Sequence, residues 1–265
     1  MSEDQGPLLL FADDGAPPAD VAWAWITSHH WQGWALEAVT ARMSLYPGGR
    51  EIGEAAHVGR QPPAESKFTR FDHLDVDGDP RIVIFERSDA SLIVGGWHHR
   101  GHLAGLLVGS TTGWLLGRPA VPIVVARHGH GTRSVAICVD GGPHSDRALS
   151  AFQSLPWSTE VDVSLVSVAD GSTDAESALA SAVVHFPDKN QPETIRLVGS
   201  PKREIAAFVE SRQIDLVVLG TRGLTGFARL AVGSTVSALL KNGTANLMVA
   251  HVTEVAPAGQ PTGSP

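Results

Sequence analysis

The run Gly220-Thr221-Arg222-Gly223-Leu224-Thr225-Gly226, closed by Gly233-Ser234-Thr235, holds the residues of this chain best suited to chemistry. Glycine lets backbone approach a phosphate, because no Cβ blocks the way and the exposed N–H groups act as anion donors. Gly233-Ser234-Thr235 stands where a helix should start, so hydroxyls and helix N-terminal amides would converge on one anion. The plainer reading is a turn that only joins strand to helix. The apolar run Leu216-Val217-Val218-Leu219 leads into the loop, and Ser237-Ala238-Leu239-Leu240 leads out of it in a helix-like pattern. The chemistry in view is therefore binding of a phosphorylated small molecule.

A sheet must hold such a loop in place. Apolar runs at 134–139, 161–168, 194–198, 215–219 and 246–252 are short, nearly continuous and rich in Val, Ile and Leu, as in strands buried on both faces. Between them lie helical patterns, such as Pro201 to Arg212 with Ile205, Phe208 and Val209 on one side. This alternation predicts a parallel sheet flanked by helices, with ligands at the carboxyl ends of the strands where strand order reverses. Asp140 ends the first strand of this set and Gly220 the fourth, so both fall at the ligand edge. A helix cap or turn role for Asp140 ahead of Pro143 is the alternative.

The same unit occurs twice. Pro7 to Pro17 pairs with Arg133 to Pro143, each a strand ending in Asp-Gly and then Pro. Gly78-Asp79-Pro80 pairs with Gly199-Ser200-Pro201, and Gly109-Ser110-Thr111 with Gly233-Ser234-Thr235. From 93 to 126 the match runs without a gap, and about a third of the paired positions are identical. A period this long implies tandem domains, 1–129 and 130–254, joined near Gly129-His130-Gly131-Thr132. The stretch 255–265 reads as a disordered tail. Segment 47–67, with Pro47-Gly48-Gly49 and Pro62-Pro63, either replaces the second helix region of the other unit or adds a loop near the first site.

Bulk properties exclude several classes. At 265 residues and 43% hydrophobic content the chain can bury real cores. A net charge of −8 argues against nucleic acid and anionic membranes as partners. No apolar run approaches the ~20 residues of a membrane span. Glu3 and Asp4 replace a basic leader, so no signal peptide and a cytoplasmic location are expected. The lone Cys138 sits in an apolar strand and reads as a buried thiol.

On the glycine signature, Asp140, Gly199-Ser200-Pro201 and the internal repeat, the chain resembles the universal stress protein family, in its tandem-domain actinobacterial form. The signature is Gly, two residues, Gly, nine residues, then Gly and Ser or Thr; Gly220, Gly223, Gly233 and Ser234 meet it. The resemblance implies an α/β fold of two Rossmann-like domains of the adenine nucleotide α-hydrolase type, each a five-stranded parallel sheet flanked by helices. It also implies bound ATP, with Mg2+. Carried over, Asp140 and Gly141 lie near ribose or adenine, the backbone of Val168 meets the adenine edge, and Gly199 counts among the cofactor-binding residues. Gly220, Arg222, Gly223 and Gly226 line the phosphate loop, and Gly233, Ser234 and Thr235 hold the phosphates. The last strands of the two units, 122–126 and 246–252, would pair within the chain, and homodimers would form beyond that. The expected role is regulatory, in stress or dormancy, through a nucleotide-dependent protein partner that the sequence does not name.

The first unit departs from this pattern. Asp14, Gly96, Gly109, Ser110 and Thr111 survive, but His99 stands opposite Gly223 and His102 opposite Gly226. An imidazole there narrows the loop, so a weaker first site or none is expected. Trp97-His98-His99-Arg100-Gly101-His102 offers three readings: loop residues facing solvent, an anion pocket of protonatable histidines, or a metal site. No cysteine or carboxylate completes a metal shell there, and no metal is expected. Trp23, Trp25, Trp31 and Trp34 read as core or interdomain packing. Two other functional readings stand: a slow ATPase or nucleotidyl or phosphoryl transferase, and a scaffold without nucleotide. The first lacks a Walker-type Lys, a magnesium acid pair and a general base. No catalytic residue is assigned.

Overall fold

The computed structural model describes residues 6–42, 59–87, 89–97, 111–117, 121–220 and 233–251. The first half carries β1 (Leu8–Ala12), α1 (Pro17–Thr27), β2 (Ala35–Arg42), β3 (Arg70–Asp77), α2 (Pro80–Phe85), β4 (Leu92–Gly96), α3 (Thr111–Leu115) and β5 (Ile123–Ala126). The second carries β6 (Ser134–Cys138), α4 (Pro143–Gln153), β7 (Asp162–Ala169), α5 (Ala175–Val183), β8 (Glu193–Val198), α6 (Pro201–Arg212), β9 (Leu216–Gly220), α7 (Ser234–Asn242) and β10 (Asn246–Ala250). The five apolar runs of the second repeat are thus five strands. Pro17, Pro80, Pro143 and Pro201 each open a helix, where a fixed φ and a missing N–H cost nothing.

All ten strands form one sheet, in the order β3-β2-β1-β4-β5-β10-β9-β6-β7-β8. Within each set of five the strands run parallel, and the first and fourth are neighbours. The two sets meet through β5 and β10, which pair antiparallel with Met248 opposite Val124. The pairing of last strands that the family resemblance implies is therefore present. Strand alternation splits the core in two. Leu9, Phe11, Val135 and Ile137 pack under α1, α4 and α5, while Leu10, Ala136, Val217 and Val249 pack against α6 and α7.

The two halves differ between their second and third strands. The second half places α5 there, with Asp174 capping its N-terminus and Ala178, Leu179 and Ala182 in the core. Among the described residues the first half has only a 3₁₀ turn, Ala64–Ser66, behind Pro62 and Pro63. The proline pair removes N–H donors a helix would need, and Trp31 N–H instead donates to the Ser66 carbonyl at 2.6 Å. Trp25, Trp31 and Trp34 are buried, as anticipated. Trp25 and Trp31 also meet Trp157 of the second half edge-on, at 5.9 and 6.2 Å between ring centres.

Candidate functional site

Asp140 follows β6 and Gly220 ends β9, and these strands are adjacent at the point where strand order reverses. Asp140 Oδ1 accepts the Gly142 N–H at 2.9 Å, a two-residue side-chain turn. Gly141 occupies the turn with φ +75, a conformation that strains any residue with a Cβ. Gly142, not Asp140, is the N-cap of α4, and it makes no side-chain cap bond. Ser145 steadies the turn, its Oγ donating to the Gly142 carbonyl at 2.8 Å.

Val168 lies one strand over. Its side chain is buried. Its backbone direction follows from two bonds. The Val166 carbonyl accepts the Val139 N–H at 2.9 Å, and the Ala169 carbonyl accepts the Gly199 N–H at 3.1 Å. Alternate residues of a strand face alternate neighbours, so the N–H and C=O of Val168 point to the β6 side, beyond the last paired residues Cys138 and Val166. Asp170, next along, accepts hydrogen bonds from the Ser172 backbone and hydroxyl and the Thr173 N–H, which hold its carboxyl below the usual range. Gly199, φ +133, ends the edge strand β8 at the same rim but two strands away from β6.

Gly220 has a structural task of its own. A Cβ there would lie 2.3 Å from the His144 carbonyl carbon and 2.5 Å from Ser145 N, both backbone atoms of α4. Gly96 meets α1 in the same way, 2.1 Å from the Pro18 carbonyl oxygen. These two glycines let helix and strand backbones touch. Gly233 differs: at φ −52 it is the N-cap of α7, and a Cβ would meet nothing within 4 Å. It makes no side-chain cap bond, and Ser234 and Thr235 form the first turn behind it. Arg222, Gly223 and Gly226 lie outside the described residues, as do Gly109, Ser110, His99 and His102 of the first half.

The first half repeats the turn. Asp14 Oδ1 accepts the Ala16 N–H at 3.0 Å, Gly15 has φ +67, and Thr111 opens α3. It adds something the sequence reading missed. Asp13, where the second half has Val139, points into the core and pairs with the buried Arg60, Nε to Oδ2 at 2.5 Å. Arg60 also binds Asp20 at 2.9 Å and lies over the rings of Phe11 and Trp23. This ion pair lies under the helix face of β1, where α5 covers the second half with Ala178 next to Gly141. Its signal in the sequence is the first acid of Asp13-Asp14, which strand alternation turns inward.

Cys138 is buried, and desolvation pushes its thiol up to about 12, so it behaves as a core residue as expected. Among the described residues, no helix is long and apolar enough to cross a membrane.

Comparison with known proteins agrees with this architecture. The model of the universal stress protein family matches residues 29–127 and 175–251. The curated universal stress protein MJ0531 of Methanocaldococcus jannaschii is 43% identical over 49 residues, a match covering 18% of this chain and 29% of that relative. Among solved structures, a universal stress protein from Archaeoglobus fulgidus DSM 4304 superposes with a TM-score of 0.73 at 16% identity, covering 93% of this chain and 99% of that one. A functionally unknown protein, PA1789, from Pseudomonas aeruginosa PAO1 gives 0.58 at 14% identity, covering 93% and 92%.

Proposed function

The chain belongs to the universal stress protein family, and we propose that the second of its two domains, 130–254, binds ATP as a regulatory ligand. The observation that carries this reading is one rim of the sheet. It gathers the Asp140-Gly141 turn, the β6-facing backbone of Val168 and the N-terminus of α7, whose N-cap is Gly233. A carboxylate suits ribose hydroxyls, outward backbone groups suit an adenine edge, and a helix N-terminus suits phosphate. Asp140 and Gly141 would hold the nucleoside, with Val168 beside the base. Gly220, Arg222, Gly223 and Gly226 would form the loop, and Gly233, Ser234 and Thr235 would meet the phosphates. Gly199 would complete the rim on the β8 side. Mg2+ would enter with the nucleotide.

Occupancy would change the surface a partner protein reads. The first domain, 1–129, would be the weaker site because His99 replaces the second glycine. A cytoplasmic setting and homodimers fit this role.

The test is calorimetric titration of ATP with Mg2+ into wild type and Gly223→His, which copies His99 of the first domain. The expected result is about one equivalent bound by wild type, lost in the variant. Two equal sites, or unchanged binding in the variant, refute the assignment. No binding by either protein favours a scaffold without nucleotide.

A further inference from the structure

The seam between the halves is built on histidines that must stay neutral. His29, after α1, is buried. Its Nδ1 lies 2.7 Å from the Trp25 carbonyl, which can only accept, so Nδ1 carries the proton. Its Nε2 accepts the Thr132 N–H at 3.0 Å. Thr132 belongs to the segment joining β5 to β6, and its hydroxyl also accepts from Trp25 Nε1 at 3.3 Å. A second proton on His29 would point at a backbone N–H with no other place to go.

His128 is locked in the opposite tautomer. Its Nε2 donates to the Asp215 carbonyl at 3.1 Å. Its Nδ1 faces Asn246 Nδ2 at 3.3 Å. The Asn246 amide cannot turn round, because its Oδ1 accepts the N–H groups of Arg127 at 2.7 Å and His128 at 3.1 Å. The lone pair of His128 is therefore spent on the fully buried Asn246 at the start of β10. This also disqualifies a metal reading of His128, His130 and Asp215, whose ligand atoms lie within 4.8 Å of one another. A ligating Nε2 would move the proton to Nδ1, against the amide.

At the other end of the seam His251, just after β10, bonds to the backbone of Leu116 in the first half. Its ring lies 6.4 Å from that of His144.

We propose that this seam is an acid-released latch: protonation of His29 and His128 disengages the linking segment and the β5–β10 pairing, uncoupling the two domains while each sheet persists. Burial agrees, lowering His29 and His251 to about 4 and His128 below its ordinary value. Among the described residues, the charges facing these groups are few. His30 adjoins His29 and lies 3.3 Å from Glu160. His130 stacks on His128 at 3.7 Å, so a charge on one ring opposes a charge on the other. The Asp215 carboxylate favours protonation, but its Oδ2 is taken by the N–H groups of Arg133 and Ser134.

The sign follows from the direction of the shifts. The joined state binds fewer protons than the opened one below the ordinary histidine value. The seam is therefore at full strength above about 6.5 and weakens as pH falls toward the lowered values. For His29 alone, restoring 6.5 from about 4 on opening weakens the seam about thirtyfold at pH 5.

The experiment is amide hydrogen exchange on the full chain at pH 7.5 and 5.0, corrected for intrinsic rates, with imidazole nitrogen NMR of the histidines over the same range. Protection of the β5–β10 ladder should fall about thirtyfold or more at pH 5.0, while the β6–β9 ladder stays within about twofold. The spectra should show Nδ1–H at His29 and Nε2–H at His128, both titrating below 6.5. In the double variant His29→Gln, His128→Gln, which keeps donors and acceptors without a titration, the pH dependence should flatten. Equal loss in both ladders, or either histidine titrating at or above its ordinary value, overturns the latch. Those two readouts come from wild type and hold even where the variant does not fold. Neither involves nucleotide, so they stand apart from the ATP assignment.

Discussion

Replacing Asp13 by valine copies the second half, where Val139 holds the equivalent place. The substitution removes one partner of an ion pair whose two side chains are 6% and 5% exposed. Among the described residues Arg60 then keeps only Asp20, a carboxylate that is 64% exposed on the rim. Breaking a buried pair from one side leaves a charge without compensation and costs on the order of 3–5 kcal/mol. The surviving Asp20 contact and the rings of Phe11 and Trp23 put Asp13→Val at the low end, about 3 kcal/mol. Replacing both partners, Asp13→Val with Arg60→Met, removes the stranded charge, and the double variant should lie within about 1 kcal/mol of wild type. The assay is urea unfolding followed by tryptophan fluorescence, which Trp23, Trp25, Trp31 and Trp34 confer on this region. The cycle should give a coupling of at least about 2 kcal/mol. A single variant within about 0.5 kcal/mol of wild type, or a double variant as unstable as the single ones combined, would refute the account of a dry, mutually dependent pair.

Two further outcomes follow from the same geometry. Gly220→Ala should destabilise by about 1–3 kcal/mol, because its Cβ meets α4 backbone that no rotamer change can clear, whereas Gly233→Ala should cost under about 1 kcal/mol. Equal melting shifts for the two would contradict this division of roles. Cys138 should react with a disulfide reagent at pH 8 only after denaturant is added, releasing one equivalent. Rapid labelling of the native protein would mean the thiol is not buried.

Much of this protein was legible along the chain, because its signals are local. Short apolar runs between helical patterns define parallel strands, and proline marks four helix starts. A repeat of that pattern defines two such units. The Asp-Gly turn is likewise a property of neighbouring residues, and it forms at both Asp14-Gly15 and Asp140-Gly141. Gly220 was legible as to place but not as to reason. Whether a missing Cβ serves a ligand or a helix depends on what packs above it, and His144 is 76 residues earlier in the chain.

What only the tertiary structure decided is pairing at a distance. Nothing in Asp13 alone tells that Arg60 will neutralise it, since the partner arrives through a segment with no helical or strand period. The seam is the clearest case. His29 and His128 look like ordinary polar histidines in sequence. Their fixed tautomers arise only when Thr132, Asn246 and Asp215 close around them. A sequence sets which groups can donate or accept, but burial decides which of them have no alternative partner, and burial exists only once the two sheets have joined into one.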